Sequence, residues 1–226
     1  MTHFYAEPKV LPASRCLLRI KFMKGNDMER KKIIFATGNK GKIKEIQMIL
    51  ADYEIITMKE AGIEIDIVED GKTYEENAMI KVRAVAACPQ AAGCIVMADD
   101  SGLEVDALGK EPGVYSARYL GEDTPYSIKN ANIIHRLEGV PDEERSARFV
   151  CAIAAKLPDG REFSTRATIE GRIGYEEKGE HGFGYDPIFF VPEYQKTTAE
   201  LSEAEKNEIS HRGKALRLMK KKLENT

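Results

Sequence analysis

The chain lacks the features that define several broad classes of protein. It has four cysteines in 226 residues and no C-x-x-C pair, so neither a disulfide framework nor a zinc site is supported. No apolar run approaches the roughly 18–20 residues of a membrane span. Arg15, Arg19 and Lys21 interrupt the segment 11–22, which argues against a secretory leader. We therefore expect a cytoplasmic protein with reduced thiols and no membrane association.

The chain also lacks an excess of positive charge. It has 34 lysines and arginines against 37 aspartates and glutamates, for a formal net charge of −3, so we expect no general binding of nucleic acid. With 42% apolar residues, the chain can bury a core of ordinary size. Residues 1–31 have no clear periodicity and are broken by Pro8, Pro12 and Gly25. We predict an N-terminal extension there, disordered or foreign to the folded core, and one domain over 32–226.

The most informative stretch reads Ala-Asp-Asp-Ser-Gly-Leu, at residues 98–103. The apolar run 94–98 predicts a buried strand, Ser101-Gly102 predicts a turn, and the run 103–108 predicts a second strand. Side chains converge on a crevice at strand ends in open α/β sheets. Two carboxylates there suit Mg²⁺, which takes a few oxygen ligands together with substrate phosphates. The alternative is an Asx-type turn with two solvated aspartates.

A second stretch predicts an anion site near the start of the domain. A short apolar strand, Ile33–Ala36, is followed by the turn Thr37–Lys42 and by a helix with one apolar face. Free N–H groups and the helix dipole favour an anion at such a turn. Lys42 opposes the dipole, and a phosphate would remove this conflict. The alternative is an ordinary strand-to-helix turn that contains glycine.

The remaining pattern predicts a mixed sheet with flanking helices. Thr73 and Glu76 form a capping box for a helix that runs to about residue 87, and Thr124 is the predicted N-cap of another, with proline in its first turn. The apolar strand 147–156 and the returning strand 161–173 predict an antiparallel hairpin. Parallel strand–helix units joined to a hairpin indicate an α/β fold with a mixed sheet.

The loop 182–187 carries groups that suit a nucleoside. Phe183 and Tyr185 offer faces on which a base could stack, and Asp186 offers an acceptor for N–H or O–H groups of the base or ribose. The alternative is that both aromatic rings pack in the core and that Asp186 sits in an Asp-Pro turn.

The last helix begins with basic residues where simple stability would not place them. Ser210 is a good N-cap, but His211 and Arg212 lie in the first turn, where cations oppose the helix dipole. Lys206 stands just before them in the chain. This arrangement favours an anionic ligand at the start of the helix.

Five motifs in a fixed order give the chain a family resemblance. They are Thr37-Gly38-Asn39 with Lys42 and Glu45, Ala98-Asp99-Asp100-Ser101-Gly102-Leu103, Gly113 with Tyr115-Ser116-Ala117-Arg118, Gly182-Phe183-Gly184-Tyr185-Asp186-Pro187, and Ser210-His211-Arg212-Gly213. Together they closely resemble the Ham1-like, RdgB-type inosine/xanthosine triphosphate pyrophosphatase family, over about residues 32–223.

The resemblance implies an enzyme that cleanses the nucleotide pool. Such an enzyme hydrolyses ITP, dITP and XTP to the monophosphate and pyrophosphate, uses Mg²⁺ and forms a homodimer. The implied fold is an elongated, two-lobed α/β structure with a long central mixed sheet flanked by helices and an active-site cleft between the lobes. The sequence does not rank the three substrates.

The resemblance also implies roles for individual residues. Asp100 would be the catalytic acid or base and a Mg²⁺ ligand, and Glu69 would be the second metal ligand, although Val68 stands where the family often has another acid. The implied substrate-binding residues are Thr37, Gly38, Asn39, Lys40, Gly41, Lys42, Ser101, Phe183, Gly184, Tyr185, Asp186, Lys206, His211 and Arg212.

Two alternatives belong to other functional classes. A Mg²⁺-dependent phosphomonoesterase would use Asp99 or Asp100 as a covalent nucleophile and release orthophosphate, but such enzymes usually have a D-x-D spacing on an early strand. A non-catalytic nucleotide sensor would bind without turnover, and the set of Asp100, Lys42 and Lys206 argues against it.

Overall fold

One mixed sheet organises residues 30–226, the part of the chain that the computed structural model describes. Its strands are β1 (Lys32–Phe35), β2 (Glu54–Thr57), β3 (Ile95–Val105), β4 (Ser146–Lys156), β5 (Glu162–Ile173), β6 (Phe189–Val191) and β7 (Lys196–Thr197). Their order across the sheet is β2-β1-β3-β4-β5-β6-β7. β1 pairs in parallel with β2 and β3, and the later pairs are antiparallel, which confirms the predicted mixed sheet. The predicted extension, apart from its last two residues, lies outside the described residues.

Helices flank this sheet. They are α1 (Lys40–Ile49), α2 (Tyr74–Ala86), α3 (Tyr126–Arg136), α4 (Glu203–Ile209) and α5 (His211–Glu224). The predicted capping box of α2 is confirmed, because Thr73 Oγ1 accepts from the N–H of Glu76 at 3.1 Å. The predicted cap of α3 was wrong. Pro125 occupies the N-cap position, and the hydroxyl of Thr124 donates instead to the carbonyl of Leu120. Among residues 30–226, no helix is long and apolar enough to cross a membrane.

Alternation of side chains in β1 and β3 defines the two faces of the sheet. Ile33 and Phe35 of β1 and Met97 of β3 pack with α1 and α5 on one face. Ile34 and Ala98 pack with α2 on the other face. Because successive side chains of a strand point to opposite faces, the odd-numbered residues in this part of β3 face α1 and α5, and the even-numbered residues face α2.

The predicted turn at Ser101-Gly102 was wrong, because β3 continues through it. β4 pairs with β3 from residue 96 to residue 105, and this partner holds the strand extended past both aspartates. Gly102 has a different purpose. A Cβ there would lie 2.3 Å from the carbonyl oxygen of Gly113 and 2.6 Å from Oγ of Ser116, so glycine lets the turn 113–118 approach the strand closely. The strand predicted over 103–108 is the end of β3, which stops at residue 105 and is followed by a 3-10 turn.

The long strands β3, β4 and β5 join two cores. Near the start of β3 they pack with α1, α2 and α5, and near its end they pack with Ile133 and Leu137 on and just after α3. The last backbone contact of the β1 segment with β3 runs from the N–H of Ala36 to the carbonyl of Met97. Between Asp99 and Gly102, no strand among the described residues covers this edge of β3; further on, the N–H of Leu103 donates to Oγ of Ser116 and Glu104 forms a β-bridge with Pro112. A cavity lies beside this open edge, between the two cores.

Candidate active site

Asp99 and Asp100 are neighbours in β3 but belong to opposite faces of the sheet. Asp99 is 1% exposed and meets Lys42 of α1 and Arg212 of α5, whereas Asp100 is 9% exposed and meets α2. This separation follows from the period of two in an extended strand. It gives the two carboxylates different partners and therefore different chemistry.

A chain of alternating charges lies on the Asp99 face. Three basic and three acidic side chains form it, in the order Lys42 Nζ to Asp99 Oδ2 (2.9 Å), Asp99 Oδ2 to Arg212 Nε (3.2 Å), Arg212 Nη1 to Glu45 Oε2 (2.5 Å), Glu45 Oε1 to Lys206 Nζ (3.1 Å) and Lys206 Nζ to Asp186 Oδ2 (2.7 Å). The cations predicted to meet an anion thus have carboxylate partners of their own. These partners fix the positions of the cations before any ligand arrives.

Burial and the neighbouring cations have opposite effects on the pKa values of the acidic residues in this row of charges. Burial opposes ionisation of Asp99, but the charges of Lys42 and Arg212 outweigh it and hold the pKa of Asp99 well below its usual range. Burial likewise opposes the ionised form of Glu45, and Arg212 and Lys206 lower its pKa. His211 behaves differently, because burial and then the charges of Arg212 and Lys206 all lower its pKa. Its imidazole is therefore neutral at pH 7.

The cavity beside the open edge of β3 has a volume of about 300 Å³, at the lower end of small-molecule sites, which span roughly 300–1,000 Å³. Predicted residues that line it are Thr37, Gly38, Asn39, Lys42, Ser101, Phe183, Gly184, Tyr185, Asp186, Lys206, His211 and Arg212. Gly41 instead lines a smaller pocket of about 100 Å³ that shares Phe183 and Lys206 with the cavity. Asp100 and Glu69 lie outside the lining, and the side chain of Lys40 lies outside the described part of the structure.

The aromatic residues of the loop 182–187 have separate roles. Phe183 is half-buried in the wall of the cavity, with Nζ of Lys206 4.8 Å from its ring centroid. Tyr185 is 4% exposed, and its hydroxyl donates to the carbonyl of Ser116 at 2.8 Å. Phe183 therefore offers the accessible ring, whereas Tyr185 mainly anchors the loop to the turn 113–118.

Asp186 also holds this loop in place. Its Oδ2 accepts from the N–H of Phe183 at 2.8 Å and from Lys206 at 2.7 Å, and its Oδ1 accepts from the hydroxyl of Thr198 at 2.8 Å. The expected acceptor for a base or ribose is thus already engaged within the protein. Asp186 therefore shapes the loop and fixes the position of Lys206.

His211 lies flat against a phenyl ring at the end of the cavity. Its imidazole stacks on Phe149, with ring centroids 4.9 Å apart and an angle of 19° between the planes. Nδ1 of His211 is buried and has no hydrogen-bond partner among the described residues. A neutral ring held in this way can offer one nitrogen as a donor and the other as an acceptor.

On the other face of β3, α2 supplies two residues that the sequence analysis did not select. Lys81 places Nζ 2.8 Å from Oε2 of Glu69 and 3.9 Å from Oδ1 of Asp100. Asn77 donates from Nδ2 to Oδ2 of Asp100 at 3.0 Å. Burial raises the pKa of Asp100, and Lys81 and Asn77 offset this only in part. The i, i+4 spacing of Asn77 and Lys81 behind a helix cap was the only signal that could have found them.

Glu69 and Asp100 form an oxygen-donor pair suited to a hard cation. The ammonium of Lys81 already lies between the two carboxylates, so this place favours positive charge. Mg²⁺ commonly uses one or two protein carboxylates and completes its shell with water and phosphate oxygens. Among residues 30–226, no group of three or more His, Cys, Asp and Glu side chains is placed to hold a metal ion. Two carboxylates beside one ammonium are a donor set that Mg²⁺ could complete with water and phosphate oxygens.

Comparisons with known proteins agree with this architecture. The family model described as the Ham1 family matches residues 33–222. A protein of Clostridium perfringens named dITP/XTP pyrophosphatase is 48% identical over 198 residues, which cover 85% of this chain and 97% of that protein. A Bacillus subtilis protein of the same name is 46% identical over 196 residues, or 86% of this chain and 98% of that protein.

Solved structures give the same result. The Ham1 protein of Staphylococcus aureus superposes with a TM-score of 0.77 at 42% identity, over 86% of this chain and 99% of that one. A HAM1 protein of Coxiella burnetii gives a TM-score of 0.76 at 41% identity, over 87% and 100%. The chain belongs to the Ham1 family.

Proposed function

We propose that this protein hydrolyses non-standard purine nucleoside triphosphates (dITP, XTP and ITP) to the monophosphate and pyrophosphate. The observation that carries the proposal is the open edge of β3, which brings a basic, aromatic-walled cavity next to the Glu69 and Asp100 pair. Relatives named dITP/XTP pyrophosphatase, 46–48% identical to this chain, support the same reaction.

The phosphates of the substrate would bind along the turn before α1. Thr37, Gly38 and Asn39 line the cavity there, and the start of α1 offers N–H groups to an anion. Lys42 is the most exposed of the three cations in the charge chain, with a side chain 18% exposed, so its ammonium can turn toward a phosphate. Arg212 and Lys206 add positive potential from fixed positions, which stabilises charge that develops on the phosphates during hydrolysis.

Asp100 would act on the attacking water. A carboxylate whose pKa is raised by burial is a stronger base than one in solvent. Oδ1 of Asp100 accepts from the N–H of Ser101 at 3.0 Å, and Oδ2 accepts from Asn77, so the carboxylate is held at the open edge. From there it can orient a water and accept its proton as the water attacks the α-phosphorus in line.

Mg²⁺ is the cofactor in this proposal, and Glu69 and Asp100 would hold it. When bound, the ion neutralises phosphate charge and lowers the pKa of a coordinated water. Lys81 would give up part of its contact with Glu69 and remain available to a phosphate oxygen. The charges of Lys42, Lys81, Lys206 and Arg212 then surround the triphosphate on both sides of β3.

Selection for a 6-keto purine would come from the groups at the end of the cavity. The base would stack on Phe183, and donors from His211, Arg212 and the backbone near Tyr185 would face O6. An adenine amino group would leave these donors unpaired, which costs on the order of 1–3 kcal/mol for each buried group. A neutral His211 suits this role because it offers a donor without adding charge.

Product analysis tests the reaction directly. The protein is incubated with dITP and Mg²⁺, and pyrophosphate is resolved from orthophosphate. We expect dIMP and pyrophosphate, no turnover of dATP, and loss of turnover in Asp100→Asn. Orthophosphate with an aspartyl-phosphate would indicate the phosphomonoesterase, although Asp99 is buried and its Oδ2 is held by Lys42 and Arg212, which disfavours it as a nucleophile. Tight binding of dITP without either product would indicate the sensor.

The proposal has three further parts, each with its own support. A homodimer is expected from the family resemblance and is tested by light scattering of the purified protein. A cytoplasmic location is supported by Cys88, Cys94 and Cys151, which are all free thiols. Residues 32–226 would form the whole catalytic domain, so a protein shortened to begin at Met28 should keep full activity.

A further inference from the structure

We propose that Asn77 is a positioning residue that fixes the catalytic carboxylate of Asp100 relative to the acidic loop, residues 64–71, which carries Glu69. The inference rests on the proposed function and extends it to a residue outside the cavity. Asn77 lies in the first turn of α2, is 1% exposed and does not line the cavity, and its side-chain amide bonds to Gly71 and Asp100. Its effect on the reaction would therefore act through Asp100.

The side-chain amide of Asn77 joins two segments that are distant in sequence. Nδ2 donates to Oδ2 of Asp100 at 3.0 Å, and Oδ1 accepts from the backbone N–H of Gly71 at 2.9 Å. A carboxylate only accepts and a backbone N–H only donates, so the orientation of the amide is fixed by its partners. One side chain thus sets the distance from β3 to the loop that ends at Gly71.

The same helix contacts the acidic loop a second time, one turn further on. Lys81, four residues after Asn77, pairs with Glu69 at 2.8 Å. The loop is therefore attached to α2 at Glu69 and at Gly71, and α2 is attached to Asp100 through Asn77. This frame determines how far the Glu69 carboxylate lies from the Asp100 carboxylate, which is the geometry that a shared cation and its water would need.

The contact between Gly71 and Asn77 leaves no room for a side chain at residue 71. A Cβ at residue 71 would lie 2.6 Å from Oδ1 of Asn77, 2.8 Å from Cβ of Glu76 and 3.0 Å from the N of Asn77. Only glycine at this position allows the loop to approach the amide closely enough to donate to it. Asparagine is also specific at position 77, because aspartate lacks the donor for Asp100 and leucine lacks both groups.

Two kinds of variant separate positioning from folding. Asn77→Asp keeps the acceptor for Gly71 but loses the donor to Asp100, and Asn77→Leu loses both. Gly71→Ala displaces the amide from the other side and removes no polar group from the protein. Gly174→Ala is the matched control, since a Cβ there would meet only ordinary contacts of 3.5 Å and 3.7 Å. For each protein, kcat and KM for dITP with Mg²⁺, the Kd for dITP with Ca²⁺ by calorimetry, and the Tm are measured.

We expect kcat to fall about 100-fold in Asn77→Asp and Asn77→Leu and about 10-fold in Gly71→Ala, as for other residues that orient metal-binding or reacting groups. KM and Kd should stay within about threefold of the wild type, because the cavity is unchanged. Gly174→Ala should match the wild type in every measurement.

Either of two results would overturn this assignment. One is a kcat within about threefold of the wild type in both Asn77 variants. The other is a parallel loss of kcat, dITP binding and Tm, which would give Asn77 a role in folding only. The wild-type protein tests the proposed function separately. If it does not hydrolyse dITP, that function is refuted and this assignment with it. If it is active and the variants are unaffected, only the role of Asn77 is refuted.

Discussion

The two faces of β3 show how one dipeptide produces two carboxylates of opposite character. On the α1 and α5 face, Asp99 is surrounded by fixed cations, and its pKa is held well below the usual range. On the α2 face, Asp100 has an amide and a more distant ammonium as partners, and burial raises its pKa. In the proposed function, the two adjacent residues would thus serve architecture and chemistry separately. The difference comes from which helix each side chain meets, since the two residue types are identical.

The largest expected effect is the loss of turnover when the charge of Asp100 is removed. We expect Asp100→Asn to lower kcat for dITP about 1,000-fold, because the carboxylate that accepts the proton of water is lost. Asp106→Asn is the control, since Asp106 pairs with Arg148 and Ser146 away from the cavity. A fall in kcat of less than about tenfold in Asp100→Asn would show that another group acts as the base.

Asp99→Asn should lower stability more than Asp100→Asn does. Asp99→Asn leaves Lys42 and Arg212 without a shared buried carboxylate, and we expect the free energy of unfolding at pH 7 to fall by about 3 kcal/mol. Asp100→Asn should be as stable as the wild type or more so, because burial disfavours the charge that the substitution removes. Urea unfolding measures both.

The pH dependence of this stability difference provides a check. Because the folded pKa of Asp99 is depressed, its contribution is fully present above the unfolded value of about 3.9 and is lost as pH falls through the folded pKa. The deficit of Asp99→Asn should therefore shrink below pH 4. An equal deficit at pH 7 and at pH 3 would contradict this explanation.

A third test concerns the neutral histidine on the Asp99 face. Its folded pKa is well below the unfolded value of about 6.5, so the unfolded chain binds one more proton below that pH. Stability should then fall by up to about 1.4 kcal/mol per pH unit between pH 6 and pH 5. His211→Asn should remove this slope, whereas His135→Asn, at an exposed position on α3, should keep it. Identical slopes in the two variants would show that His211 does not carry the effect.

The smallest predicted effects come from the N-caps of α2 and α5, the helices on the two faces of β3. Thr73 Oγ1 accepts from the N–H of Glu76, and Ser210 Oγ accepts from the N–H of Gly213. Replacement of either by alanine should cost about 1 kcal/mol of unfolding free energy. Thr73→Ala should act mainly on kcat, because α2 carries the Asp100 partners, and Ser210→Ala mainly on KM, because α5 carries Arg212. Equal changes in kcat and KM in both variants would remove the distinction between the two faces.

The sequence was sufficient for features with local causes. The capping box of α2, the hairpin of β4 and β5, and the strand, turn and helix at residues 32–49 all follow from nearby residues. Twelve of the fourteen residues expected to bind a nucleotide also line one cavity. This convergence could be anticipated because the five motifs resemble one family, although each motif alone had an ordinary structural explanation.

Features that depend on distant partners were not predictable in this way. The dipeptide Ser101-Gly102 has the composition of a turn, and only pairing with β4, some fifty residues later, keeps it extended. Lys81 and Asn77 have the sequence pattern of an ordinary helix, because their partners come from a strand and a loop. Two of the three groups that donate to the Asp186 carboxylate, Lys206 and Thr198, also come from other parts of the chain.

The alternation of β3 has a consequence for how the length of this chain can change. Insertion of one residue between Met97 and Asp99 would exchange the faces of every side chain that follows, and Asp100 would then meet Arg212 while Asp99 met Asn77. Insertion of two residues would restore the faces and merely move the pair along the open edge. The centre of β3 therefore keeps its side chains on their faces only when residues are added or removed in even numbers.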